Sequence, residues 1–163
     1  MTEHIRLIAQ KLEHLYRMEA YLDYSVGRVN QILPISDISR LSPEQHESLA
    51  AFRVRFGEFQ EHLGKTMRAV ALEEEADADR FGSVLAFMEK IGIVDSAETW
   101  KVIRELRNSI NHEYEEDSQR LGRFFEELVK SAPLIIGYFR NLKMFCRNAY
   151  GIVVNNSNGK SEN

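Results

Sequence analysis

Between residues 43 and 73, Leu49, Phe52, Phe56, Phe59, Leu63, Met67 and Val70 recur at steps of three or four with hardly a slip. An α-helix turns once in about 3.6 residues, so all seven fall on one face. A helix of about 30 residues is about 45 Å long and must bury such a stripe along its whole length. Residues 3–33 supply a partner of the same length, with Ile5, Ile8, Leu12, Leu15, Leu22, Val26, Val29 and Leu33 on one face. Pro34 ends that helix, because the residue before a proline is pushed out of the α region. Ser42-Pro43-Glu44-Gln45 starts the next, with Ser as cap, Pro at the first helical position and Gln three residues after the cap. Two such helices joined by so short a connection pack antiparallel as half of a bundle.

The rest of the chain continues the pattern. Arg80–Ile91 forms a shorter helix with Phe81, Val84, Leu85, Phe87, Met88 and Ile91 apolar, and Gly92 stops it. Ser96 caps a helix over 97–114, with Trp100 in the core near its start. Glu115-Glu116-Asp117-Ser118 breaks the pattern and starts a fifth helix through Leu121, Phe124, Phe125, Leu128 and Val129. Pro133 interrupts it, and a last segment runs from Leu134 to about Tyr150. The expectation is an all-α, up-and-down bundle of four to six helices in one domain, residues 1–154. Residues 155–163 have nothing to bury and read as a disordered tail.

Several function classes lose support. Cys146 is the only cysteine, which rules out an internal disulfide, and its aromatic neighbours mark it as a core filler. No signal-peptide pattern opens the chain, and the longest apolar run falls far short of the ~20 residues of a spanning helix, so no membrane and a cytoplasmic location are expected. His4, His14, His46 and His62 have no second His three or four residues away, so no metal site is expected. The acidic run from Glu73 to Asp79 lacks the ligand pattern of a calcium loop and reads as a solvated helix end. Residues 1–99 hold 11 Lys and Arg against 17 Asp and Glu; residues 100–150 hold 9 against 7. The less acidic half is compatible with a local phosphate site.

That half contains Arg104-Glu-Leu-Arg107-Asn-Ser-Ile-Asn-His112-Glu-Tyr114. At about 100° per residue, Val102, Ile103, Leu106 and Ile110 make the stripe expected to be buried. Arg104, Asn108 and Asn111 lie opposite, flanked by Arg107, His112 and Tyr114. Asn, Ser and His are mediocre helix formers, so helix stability does not explain them.

Arg107-Asn-Ser-Ile-Asn-His112-Glu-Tyr114 resembles the R-x4-H-x-Y motif of HEPN domains, in the form carried by HepT-type toxins. The segment from Phe81 to Gly92 and the helix from Ala97 resemble the stretch that leads into the motif, so the likeness covers about residues 80–117. It implies a two-fold dimer in which motif helices line a shared cleft, and metal-independent endoribonuclease activity without a cofactor. Arg107 and His112 would be the catalytic pair, with Arg104, Asn108 and Asn111 binding the RNA substrate. It further implies a toxin–antitoxin pair, in which an MNT-type nucleotidyltransferase antitoxin silences the toxin by AMPylation of Tyr114. A non-catalytic HEPN adaptor that binds such a nucleotidyltransferase is the alternative.

The residue types suit that chemistry. Histidine exchanges a proton near neutral pH, and the arginine fork matches phosphate oxygens. Five residues along a regular helix leave Arg107 and His112 about 140° apart, which one straight helix cannot aim at one phosphate. Distortion at the helix end is one solution, and two copies facing each other across a two-fold axis are another.

Overall fold

The computed structural model describes residues 1–113 and 118–154, without the side chains of 111–113. Helix α1 (Glu3–Asn30) is capped by Thr2, whose hydroxyl accepts the Ile5 amide. It stops three residues earlier than the apolar pattern suggests: Ile32 and Leu33 both donate to the Val29 carbonyl in a closing turn before Pro34. After a 3₁₀ turn (Ile38–Arg40), α2 (Pro43–Glu73) begins with the expected capping box. Gln45 N–H donates to Ser42 Oγ at 3.1 Å, and Ser42 N–H donates to Gln45 Oε1 at 2.9 Å. Helices α3 (Phe81–Lys90), α4 (Ala97–Glu113) and α5 (Ser118–Tyr150) complete the chain, and no strand occurs among the described residues.

Paired contacts fix the directions. His4 meets Glu73, His14 meets His62, Arg55 lies over Tyr21, and Arg28 meets Glu44, so α1 and α2 run antiparallel. Phe52 with Phe125, and Phe59 with Phe139, set α5 parallel to α2. Gly57 with Arg107, and Gly64 with Trp100, set α4 antiparallel to α2. The four long helices therefore alternate up and down, and α3 bridges α2 and α4 at one end. Phe52, Phe56, Phe59, Leu63, Met67 and Val70 of α2 are fully buried at the centre. Cys146 is buried with them, and burial raises its thiol to about 12, which keeps it a neutral core group.

Two expectations need correcting. Val102 is 53% exposed, so the buried face of α4 consists of Trp100, Ile103 and Ile110, with Leu106 half-buried. Packing on α2 and α5 rotates the helix away from the face that the full apolar pattern selects. Nor does Pro133 divide the last segment: α5 is one helix of 33 residues with Pro133 inside it. Leu121, Phe125, Leu128, Ala132, Ile135, Phe139, Leu142 and Cys146 keep one phase straight through the proline, and all are buried. The core contact along that stripe outweighs the ~3 kcal/mol a proline costs in a helix interior. Pro133 itself is exposed, and the nearby Ser131 hydroxyl donates to the Leu128 carbonyl at 2.7 Å. Pro133→Ala restores an amide donor for Val129 and should stabilise the protein by about 2 kcal/mol, after allowing for the looser unfolded chain. A melting temperature equal to or below wild type would contradict this account of α5.

The corner from α3 into α4 is pinned to α5. Asn141 donates its amide to the Ile93 carbonyl at 3.1 Å, and the Tyr138 hydroxyl bonds to Asp95. Trp100 stacks on the Tyr138 ring at 6.4 Å. Burial, followed by the Asp95 contact, pushes the Tyr138 phenol above its ordinary range, so it stays a neutral donor to that carboxylate. These contacts set the height and rotation of α4 along the bundle, and with it the motif arginine.

Candidate functional site

Arg107 does not project freely into solvent. Its side chain lies half-buried across α2, where Nη1 donates to the Gly57 carbonyl at 3.1 Å. The contact is close but not one that only glycine allows: a Cβ on residue 57 would sit 3.4 Å from Arg107 Cδ, at ordinary van der Waals distance. Burial lowers the guanidinium pKa, Glu61 opposes that, and Arg104 adds to it. An arginine starts so high that it remains a cation at any physiological pH. Tethered and partly desolvated, the charge acts through a lower dielectric than that of a surface arginine.

Arg104, one turn back, faces the same space. Both line a pocket of about 180 Å³ between α2 and α4, together with Gln60, Glu61, Gly64, Lys65, Arg68, Phe81 and Trp100. Lys65 pairs with Glu61 at 3.3 Å, and Arg68 lies over the Phe81 ring at 5.7 Å. Four cations thus surround one carboxylate. An anion with several oxygens, such as an RNA phosphate, is the chemistry such a set favours.

Among the other expected site residues, Asn108 is exposed and does not line the pocket. The side chains of Asn111 and His112, and all of Tyr114, lie outside the described residues, as does the tail 155–163. The backbone of α4 is helical through Glu113, which sets the backbone positions of residues 107 and 112 about 140° apart around the axis.

Sequence reasoning missed the α2 side of the pocket. Lys65 and Arg68 belong to no motif in the sequence. Gln60 left a signal: it stands four residues after Phe56 and three before Leu63, a polar group inside the apolar stripe. Trp100 lies in the core as expected, at 2% exposed, yet it also forms part of the pocket wall.

Other candidate groups have partners. A wider groove of about 700 Å³ runs between α1 and α5, but its Arg140 pairs with the buried Glu19 at 3.0 Å and its Lys143 sits over the Tyr16 and Phe139 rings. Arg140 and Lys143 are thereby engaged in packing. The fold brings His14 and His62 together across α1 and α2, with ring centroids 5.0 Å apart, which sequence spacing could not reveal. Burial, then the charges of His14 and Lys65, lowers the His62 pKa. No cluster of three metal-ligating side chains forms among the described residues. Of the acidic run, Glu73 pairs with His4 and Glu74 accepts the Tyr150 hydroxyl. No described helix is long and apolar enough to cross a membrane.

No family model, curated protein or solved structure matches the chain.

Proposed function

We propose that the protein is a metal-independent endoribonuclease of the HEPN type, the toxin of a toxin–antitoxin pair, acting as a homodimer. The observation that carries this reading is the tethered Arg107 guanidinium in a cationic pocket, at the head of the sequence motif Arg107-x4-His112-x-Tyr114. In the proposed reaction the ribose 2′-oxygen attacks the adjacent phosphorus while His112 takes its proton. The P–O5′ bond breaks, and the leaving oxygen takes a proton from the imidazolium of a second copy. Arg107 balances the charge that grows on the non-bridging oxygens. Positioned proton transfer contributes ~10²–10⁴-fold.

The helical register supports a composite site. Arg107 is turned towards α2 and the backbone of residue 112 stands about 140° around the axis from it, and two facing copies would let the arginine of one and the histidine of the other meet at one phosphate. Tyr114 follows Arg107 by seven residues in the sequence, a spacing that on a continuous helix is nearly two turns. An AMP group added there by a partner nucleotidyltransferase would compete with RNA phosphate for the arginines. The experiment is RNA cleavage by wild-type and His112→Ala protein in excess chelator. Loss of at least ~10²-fold in the variant is expected; equal cleavage by both would remove His112 from the chemistry and the reading with it.

A further inference from the structure

The cationic pocket contains two buried polar groups that phosphate binding does not use. Gln60 is 1% exposed, and neither its amide nitrogen nor its amide oxygen has a hydrogen-bond partner. Trp100 is 2% exposed, and its indole Nε1 also lacks one. Buried side-chain polar groups in native proteins are nearly always satisfied, and each one left bare costs about 1–3 kcal/mol. Two such residues in the wall of one pocket mark a place where something else completes the bonding.

The pocket's construction indicates what. Gly64 lies in its wall, and a Cβ there would meet the Phe81 ring at 3.2 Å and Trp100 Cζ2 at 3.5 Å. Phe81 and Trp100, tilted by 48° at 5.8 Å, supply an aromatic wall. At about 180 Å³ the space is smaller than the ~300–1,000 Å³ of pockets for drug-sized ligands, and suits one planar ring. The Gln60 amide sets a donor beside an acceptor, and the Watson–Crick edge of every nucleobase answers with the complementary pair. The Trp100 N–H asks for one more acceptor. Lys65, Arg68 and Arg104 are exposed on the surrounding helices, and Arg107 is half-buried.

We propose that the pocket between α2 and α4 is a base-reading subsite that takes one unstacked nucleobase of single-stranded RNA. Gln60 and the Trp100 indole N–H bond to the edge of the base, and Arg104 and Arg107 hold its flanking phosphate. Unstacked bases are read in this way on aromatic surfaces with polar groups at their edges. The inference rests on the proposal that RNA is the substrate, and it adds where specificity arises: in the helix pair beside the cleavage motif.

Trp100 is the only tryptophan, so its emission reports on the pocket directly. The test is a fluorescence titration of the whole protein with the four nucleoside 3′-monophosphates, alongside inorganic phosphate and ribose 5-phosphate. At least one nucleotide should change the emission saturably and bind about tenfold or more tightly than either control, a difference of about 1.4 kcal/mol. Gln60→Leu keeps the volume and removes the unpaired amide, so it should melt no lower than wild type yet lose that tenfold preference. Equal binding of nucleotides and phosphate, no saturable change, or full nucleotide preference in Gln60→Leu would overturn the subsite. RNA cleavage that persists without nucleotide binding overturns this inference alone. Nucleotide binding without RNA cleavage leaves the subsite standing and overturns the nuclease reading.

Discussion

Replacing Arg107 by alanine should lower the proposed RNA cleavage by roughly 10²–10³-fold and leave the fold intact. The two halves of that expectation have separate causes. Removing one positioned donor to a developing oxyanion costs about 2.7–4 kcal/mol of transition-state stabilisation, hence the rate loss. Stability changes little because the guanidinium is tied to the fold by a hydrogen bond to the Gly57 carbonyl. That carbonyl lies in mid-helix and keeps its place in the α2 ladder, so no buried acceptor is orphaned. A net hydrogen bond of this kind is worth about 0.5–1.5 kcal/mol. Arg107→Lys keeps the charge but not the planar fork, and should recover only a small part of the rate. Single-turnover cleavage and a thermal melt on the same preparations separate the two effects. Full activity in Arg107→Ala would take the motif arginine out of the mechanism.

The second large effect is on stability. Phe59 is fully buried at the centre of α2 and meets Phe139 of α5 edge to face, centroids 5.8 Å apart at 88°. Phe59→Ala deletes that ring and leaves a cavity between two long helices that cannot close over it. The expected cost is about 3–5 kcal/mol. For a chain of this size each kcal/mol lowers the melting temperature by roughly 2–4 °C, so the midpoint should fall by roughly 6–20 °C. Chemical denaturation with an unchanged slope would show that the native state, not the unfolded chain, has changed. A destabilisation under about 1 kcal/mol would mean that α5 is not seated on α2 at Phe59.

Much of the scaffold was legible because its signals are local. The stripe from Leu49 to Val70 and the Ser42–Gln45 capping box each determine backbone geometry within a few residues, and both occur where the pattern places them. Misreadings arose where tertiary packing overrides a local preference. Pro133 breaks an isolated helix, yet the apolar stripe that continues on both sides of it holds α5 together. Val102 belongs to the apolar pattern of α4, but the helix is rotated by what its other faces touch.

The site divides along the same line. Arg104 and Arg107 stand three residues apart on one helix, so their shared face was readable. Lys65, Arg68 and Gln60 lie on another helix about 40 residues away, and only the antiparallel approach of α4 to α2 assembles them with the arginines. The inward turn of Arg107 ends on the Gly57 carbonyl, a partner that carries no signal until α2 is in place. His14 and His62 show the same dependence: spacing along one helix says nothing about a neighbour on the next.

The central claim is that Arg107 and His112 cleave RNA without a metal. Its most direct test is the chemistry of the product ends, after incubation of RNA with protein whose Tyr114 is shown by mass to be unmodified, in excess chelator. Attack by the 2′-oxygen predicts 2′,3′-cyclic phosphate and 5′-hydroxyl ends from wild-type protein and no products above background from His112→Ala. Silence of the unmodified, dimeric wild type on several RNAs would contradict the account and favour a non-catalytic adaptor, and 5′-phosphate ends that vanish with chelator would place the chemistry with a metal instead.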